Sequence, residues 1–165
     1  MKKIILILIL GIIVIFILGL VGYNFLISNK PDTSLVSGSK IIDKQTTGIE
    51  QVSFLLYSLN AHKLHKVPFS NNNPRIEIAI GEEFYISEVI ENRIITTLGR
   101  AENKDISIIL SREEFLKILN SENLKQAVQE SVAQEKMGLE LVAGKPELLA
   151  KGYLSLYTEI TGESV

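Results

Sequence analysis

An uninterrupted apolar segment near the start of the chain dominates the pattern of hydrophobic and polar positions. Residues 4–27 (IILILILGIIVIFILGLVGYNFLI) carry no charge and directly follow Lys2 and Lys3. A helix rises about 1.5 Å per residue, so this segment would extend roughly 36 Å, more than the ~30 Å hydrocarbon core of a bilayer. Charges interrupt every later apolar run within a few residues. The pattern therefore predicts a single-pass membrane protein with an N-terminal transmembrane anchor over residues 1–27.

A cleaved secretory signal is the alternative for this segment. Such signals have an apolar core of about 7 to 15 residues and end at a cleavage site of the A-x-A kind. The segment is longer, and the chain has no alanine before Ala61, so we predict an uncleaved signal-anchor. Lys2 and Lys3 precede the segment, whereas Lys30 follows it beside Asp32. This distribution of basic residues favours a cytoplasmic N terminus and an extracytoplasmic C-terminal domain.

The chain after the anchor is first polar and then mixed. Residues 28–40 (SNKPDTSLVSGSK) are rich in turn-forming residue types and predict a flexible tether. Residues 41–165 are enough for one hydrophobic core and too few for two of ordinary size. The chain has 17 basic and 19 acidic residues without basic clusters. Because nucleic-acid binding depends on neutralising phosphates, this balance argues against nucleic acid as a partner.

The spacing of apolar positions in the domain first indicates a helix and then strands. Residues 47–60 place their apolar side chains on one face of a helix. Alternating or β-rich runs follow at residues 75–80, 83–90, 93–98 and 105–110. Short polar turns separate these runs, and such connections favour antiparallel neighbours. The first half of the domain is therefore predicted to be a helix followed by an antiparallel sheet.

The second half of the domain returns to helical spacing. Ser111 and Glu114 form a capping-box pattern at the start of one helix, and Ser121 is placed to cap the next. Residues 137–142 predict a short strand. Gly144 then interrupts the pattern, and Pro146 lies where a helix can begin. Apolar positions recur from Leu149 to Ile160 at spacings of three and four, which predicts a C-terminal helix. The predicted fold class is α+β, an antiparallel sheet packed with about four helices.

Three segments of the domain carry a family resemblance. They are an alternating strand that ends in a small polar residue (residues 106–111, ISIILS), a helix with an F-L-x-x-[LIM] pattern (115–119, FLKIL) and a glycine-flanked strand (138–144, GLELVAG). Together with the order of the elements, they resemble the sterol carrier protein type-two family, the non-specific lipid-transfer proteins. The resemblance extends over about residues 75–160.

The resemblance implies an apolar tunnel between the sheet and the helices. The residues expected to contact a ligand there are Phe84, Ile86, Ile106, Ile108, Phe115, Leu119, Leu139, Leu141, Leu149, Tyr153 and Leu156. The alternative is that these side chains pack against one another as a dry core. With the anchor, the resemblance implies a membrane-anchored binding module whose partners are the lipid bilayer and a lipid or other long apolar ligand.

Catalytic chemistry has few candidate residues in this chain. His62 and His65 are three residues apart, but no third ligand adjoins them, and a zinc site needs three or four. The chain has no cysteine, which excludes disulfides and thiolate chemistry, and it has none of the common nucleophile or nucleotide-binding motifs. We therefore expect a non-enzyme without cofactor or metal. The competing function is a structural or adaptor subunit of a cell-envelope or pilin-like assembly.

Overall fold

The computed structural model describes residues 45–68 and 70–163, which all belong to the compact unit Ser39–Val165. The predicted anchor (residues 1–27), the predicted tether (28–40) and the predicted start of the domain at residue 41 lie outside the described residues. Over 45–68 and 70–163, no helix is both long and apolar enough to cross a membrane.

One five-stranded sheet forms the centre of the described part. Its strands are β1 (Arg75–Ile80), β2 (Glu83–Ile90), β3 (Arg93–Leu98), β4 (Ile106–Leu110) and β5 (Met137–Leu141), in the spatial order β3-β2-β1-β4-β5. β1, β2 and β3 pair antiparallel as predicted, and β5 is antiparallel to β4. β4 is parallel to β1, so the prediction of an antiparallel sheet is wrong for this pair.

The parallel pair results from the path of the connection between β3 and β4. Strands in a sheet lie about 4.8 Å apart, so the chain must cross roughly 14 Å from β3 to reach the free edge of β1. Residues 99–105 are long enough to do so, since an extended chain spans about 3.3 Å per residue. Glu77 of β1 holds this connection: its carboxylate accepts a hydrogen bond from the Ala101 amide at 2.9 Å and pairs with Lys104. A short connection here crosses the sheet instead of folding back as a hairpin.

Five α-helices lie in the described part of the chain. They are α1 (Ile49–Ser58), α2 (Arg112–Leu119), α3 (Leu124–Ala133), α4 (Lys145–Ala150) and α5 (Tyr153–Thr161), and a short 3-10 helix (Ala61–Lys63) follows α1. The predicted cap of α2 is confirmed, because the Ser111 hydroxyl accepts a hydrogen bond from the Glu114 amide at 3.1 Å. Asn123 caps α3, whereas Ser121, the predicted cap, donates its hydroxyl to the carbonyl of Ile118 at 2.7 Å.

The predicted C-terminal helix is divided into α4 and α5. α4 ends at Ala150, and the carbonyl of the next residue, Lys151, accepts a hydrogen bond from the His65 amide at 3.2 Å. Gly152 then takes a left-handed conformation with φ of 84°. A Cβ at this position would lie 3.2 Å from the His65 ring, so both the conformation and the close approach favour glycine. The break at Gly152 explains why the described part has five α-helices and not about four.

The hydrophobic core lies between the helices and one face of the sheet, which we term the helix face. Ile76, Ile78 and Ile80 of β1 are buried there, opposite the fully buried Leu55 and Leu56 of α1. The core also includes residues of β2 to β5, α2, α3, α4 and α5. The opposite side, termed the outer face, carries the intervening residues of each strand. Only the helix face is therefore covered by helices in the described part.

Candidate functional site

The register of the sheet divides the eleven predicted ligand-contacting residues between two faces. Phe84 and Ile86 pair with Ala79 and Glu77 and lie on the outer face. Ile106 and Ile108 pair with Ile76 and Ile78 and lie on the helix face. The Arg100 guanidinium lies over the Phe84 ring, 3.6 Å from its centroid. The structure therefore does not bring Phe84 and Ile86 together with the other predicted residues.

Six of the predicted residues belong to the buried core. They are Ile106, Ile108, Phe115, Leu119, Tyr153 and Leu156, and each contacts other core side chains. Close packing of this kind matches the alternative in which the residues fill the interior by themselves. Any ligand would therefore meet these six residues from an edge of the core.

The helix face is open at the end of β5. Leu139 and Leu141 pair in register with Ile108 and Ile106, so their side chains lie on the helix face. Leu139 is half-buried against the core, whereas Leu141 is 49% exposed. Leu149 of α4, the remaining predicted residue, is 59% exposed although the adjacent Leu148 is buried. The helices thus leave Leu141 and part of Leu139 uncovered at this edge of the sheet.

A polar cavity lies next to this open edge. It has a volume of about 360 Å³ and is formed by the start of β1, the β3–β4 connection, the residues after β5 and helix α4. Its lining includes Arg75, Glu102, Asp105, Glu147 and Lys151, together with the apolar Val142. None of the polar lining residues was predicted from the sequence as part of a site. The volume is within the range of small-molecule sites, about 300 to 1,000 Å³.

Asp105 is the centre of the hydrogen-bond network at this cavity. Its carboxylate accepts hydrogen bonds from the Lys151 ammonium at 2.7 Å, the Tyr153 hydroxyl at 2.9 Å and the Arg75 amide at 2.8 Å. Its backbone carbonyl accepts hydrogen bonds from the amides of Val142 and Ala143, both at 2.9 Å. One aspartate therefore joins the starts of β1 and β4, the end of β5 and the two C-terminal helices.

Lys151 is a buried cation held between two carboxylates. Its side chain is 2% exposed, and its ammonium lies 2.7 Å from Asp105 Oδ1 and 2.8 Å from Glu147 Oε1. Burial opposes its charge, but the hydrogen bonds and negative charges of Asp105 and Glu147 outweigh burial and raise the pKa of Lys151. Burial and then the negative charge of Asp105 raise the pKa of Tyr153 far above its ordinary value. The site is therefore a charged lysine beside a neutral phenol.

The two histidines have different surroundings. His62 stacks on Tyr57 with a centroid distance of 5.5 Å, and its Nδ1 is buried without a hydrogen-bond partner among the described residues. His65 is exposed, and its Nδ1 lies 3.5 Å from the carbonyl of Lys63. Across 45–68 and 70–163, no three histidine or carboxylate side chains are grouped to hold a metal ion.

Comparisons with known proteins gave structural likenesses alone. No protein-family model and no curated protein matches the chain. Similar solved structures include palmitated SCP2L2 from Aedes aegypti in solution, with 17% identity over 67% of this chain and 96% of that chain and a TM-score of 0.36. They also include the ubiquinone synthesis protein UbiJ-SCP2, with 13% identity over 78% and 99% of the two chains and a TM-score of 0.35.

A third similar structure is the crystal structure of sterol carrier protein 2 like 2 from Aedes aegypti. It is 19% identical over 63% of this chain and 95% of that chain, with a TM-score of 0.32. All three structures are domains of the sterol carrier type that the sequence segments resemble. A TM-score below 0.5 is too low to establish a shared fold, so any function has to be supported by the contacts of this chain.

Proposed function

We propose that the domain binds the apolar chain of a lipid, or a similar long apolar molecule, along the helix face of β5. The observation that carries this proposal is the exposure of Leu141. Its side chain lies on the core side of the sheet and pairs with the fully core-packed Ile106, yet it is 49% exposed. An apolar chain lying there would continue the hydrophobic core outward over Leu141 and Leu139.

The energetic reason is the apolar surface that the helices leave in water. Burial of apolar surface contributes about 25 cal/mol per Å², so covering even a few half-exposed leucines stabilises a complex by a few kcal/mol. No further strand lies beside β5, which is the last strand of the sheet in the described part. We propose binding without chemical conversion of the ligand.

We also propose that the domain is held at a membrane, and the apolar sequence of residues 4–27 supports this. An anchored binding site meets lipids at the high local concentration of a bilayer surface. With Lys2 and Lys3 before the apolar segment, the proposed orientation has a cytoplasmic N terminus and the domain on the other side.

Carbonate extraction of membranes tests the anchor: the full chain should stay in the pellet, and the I12K/I13K variant should be released. Release of both would contradict anchoring.

Ligand binding is tested by replacing one leucine at each edge of the sheet with glutamate. Both leucines lie on the helix face. The full chain in an amphipathic polymer is titrated with palmitic acid, and the bound fraction is measured by native mass spectrometry. Leu141→Glu should weaken binding at least tenfold, because the new carboxylate lies where the apolar chain would lie. Leu98→Glu is the matched control, since Leu98 is 68% exposed at the opposite edge of the sheet. Equal effects of the two substitutions would overturn the proposed site.

A further inference from the structure

The polar cavity beside β5 has an arrangement of charges suited to a specific class of ligand. We propose that it binds a zwitterionic group, an ammonium and an oxyanion carried by one molecule. The cavity is lined by three basic and three acidic side chains, which are Arg75, Lys104, Lys151, Glu102, Asp105 and Glu147. The argument depends on which of these groups the fold itself already uses.

Lys151 supplies a hydrogen-bond donor for an oxyanion. A lysine ammonium has three N–H bonds, and among the described residues two of them are used, by Asp105 and Glu147. The third N–H belongs to a side chain that is 2% exposed and lines the cavity. Arg75 also lines the cavity, but its guanidinium is paired with Glu88 of β2 through Nε and Nη2. An oxyanion in the cavity would accept a hydrogen bond from the third N–H of Lys151.

Two carboxylates supply acceptors for an ammonium. Glu102 has no hydrogen-bond or ion-pair partner among the described residues, and Glu147 uses Oε1 for Lys151 while its side chain is 43% exposed. The side-chain amides of Asn72 and Asn103 also line the cavity without a described partner. Carboxylates with free oxygens at the open side of the cavity favour a cationic group there.

Neither charge alone fits this arrangement. An anion would approach Lys151 past Glu102 and Glu147, and like charges repel. A simple cation carries no acceptor for the third N–H of Lys151 and would leave this donor to water. Lys104 does not change this balance, because it is paired with Glu77. A ligand with both charges satisfies the buried donor and the exposed acceptors together.

The zwitterion has two possible sources, a lipid headgroup or a free small molecule. Val142 and Ala143, which line the cavity, directly follow Leu141 in the chain, so the cavity begins where the open apolar edge of β5 ends. A lipid could place its chain on Leu141 and its headgroup in the cavity. This lipid source rests on the proposed function, whereas binding of a free zwitterion does not.

In the first arm, binding of soluble probes to the full chain in an amphipathic polymer is measured by native mass spectrometry. O-Phosphoethanolamine carries an ammonium and a phosphate, whereas ethanolamine carries only the ammonium and glycerol 3-phosphate only the phosphate. In the second arm, lyso-phosphatidylethanolamine is compared with lyso-phosphatidylglycerol by native mass spectrometry. We expect at least a tenfold preference for the zwitterion in one arm or both, and the absence of a preference in both arms would overturn the proposal.

Variants locate the preference and separate the two sources. Glu102→Gln removes an exposed, unpaired charge and should reduce the preference without unfolding the domain, because Glu147 remains as the other acceptor. Glu140→Gln, exposed on the outer face of β5, is the matched control and should leave the preference unchanged. If the preference persists unchanged in Glu102→Gln, the cavity is not the site and the inference is wrong.

Leu141→Glu distinguishes this inference from the proposed function. For a headgroup source, Leu141→Glu weakens binding of the lyso-lipid at least tenfold and leaves binding of O-phosphoethanolamine unchanged. For a free zwitterion, the lyso-lipid binds no more tightly than the soluble probe, and Leu141→Glu changes neither. Both results support the zwitterion site. The second result contradicts only the proposed apolar site at Leu141.

Discussion

The two edges of the sheet bury the same kind of side chain to different extents. At the β3 edge, α1 contributes the fully buried Val52, Leu55 and Leu56 to the helix face, although Leu98 at the end of β3 is 68% exposed. At the β5 edge, Leu139 is half-buried and Leu141 is half exposed, although both lie on the helix face. The two edges differ in how completely a helix covers the strand. The same alternating apolar pattern forms core where a helix covers it and leaves exposed apolar surface where coverage is incomplete.

The polar groups buried at the two edges differ as well. Between α1 and β3, neutral hydroxyls satisfy one another: Ser53 donates to Thr96 at 2.8 Å, and Thr96 lies 2.9 Å from the Ser87 hydroxyl. On the β5 side, the buried polar groups are charged and centre on Asp105 and Lys151. Neutral hydroxyls are adequate where a helix must only pack. Charged groups hold a more open edge in place and remain available to a ligand.

The largest effect is expected from removal of Asp105. Asp105→Ala leaves the Lys151 ammonium buried with one carboxylate and frees the Arg75 amide. It also leaves the Tyr153 hydroxyl with only its longer hydrogen bond, to the Arg75 carbonyl at 3.3 Å. Breaking a buried ion pair by removing one partner costs about 3–5 kcal/mol. Urea unfolding of the full chain, followed by circular dichroism, should show this decrease in the free energy of unfolding. Glu140→Ala is the exposed control, and an Asp105→Ala decrease below 1 kcal/mol would show that the network is dispensable.

The same leucine truncation at the two edges should have unequal effects. Leu56→Ala in α1 removes a fully buried side chain and should cost about 2–5 kcal/mol. Leu141→Ala removes a half-exposed side chain at the β5 edge and should cost less than about 1 kcal/mol. Urea unfolding of both variants measures the difference. Equal costs would contradict the conclusion that the β5 edge is open.

Local signals in the sequence were sufficient for most of the fold. The Ser111 cap, the alternation of β1 and the helical spacing of α1 each depend on residues a few positions apart. The break at Gly152 was missed because the apolar spacing continues across it and the reason for the break, the close approach of His65, comes from a distant segment. Local patterns in the sequence therefore predict which helices and strands form better than they predict where each one ends.

The cavity could not be predicted because its contacts are long-range. Asp105 and Lys151 are 46 residues apart, and the parallel pairing of β1 with β4 that brings Arg75 to Asp105 also escaped prediction. One signal was present: Lys151 lies four residues after Glu147 in a helix with an apolar face, which allows an ion pair on that face. Phe84 and Ile86 were misplaced because an apolar side chain does not reveal which face of a sheet it covers.

Alkaline pH should destabilise the folded domain in part through the β5 side. The folded-state pKa values of Tyr153 and Lys151 lie above their ordinary values of 10.0 and 10.5. Their contributions to stability are therefore fully present below about pH 10 and are lost as the pH rises, since unfolded chains then release protons that the fold retains. Urea unfolding between pH 9 and 11 should show a decline that is smaller in Tyr153→Phe. An identical decline in that variant would exclude Tyr153 as a cause.

Mild acid should weaken the β3 side, by a smaller amount. Burial and then the nearby charge of Lys63 lower the pKa of His62 below 6.5, so protonation is easier in the unfolded chain. The contribution of neutral His62 is present above about pH 6.5 and is lost as the pH falls, because the unfolded chain then takes up protons that the fold excludes. Glu77 and Glu114 also have lowered pKa values, but their contributions to stability decline only below about pH 4.5.

Urea unfolding between pH 7 and 5 should show a decline in the free energy of unfolding. This decline should disappear in His62→Phe and persist in His65→Gln. If His65→Gln alone removes it, the stacked histidine next to α1 is not the acid-sensitive group, and the two edges do not differ in their response to pH.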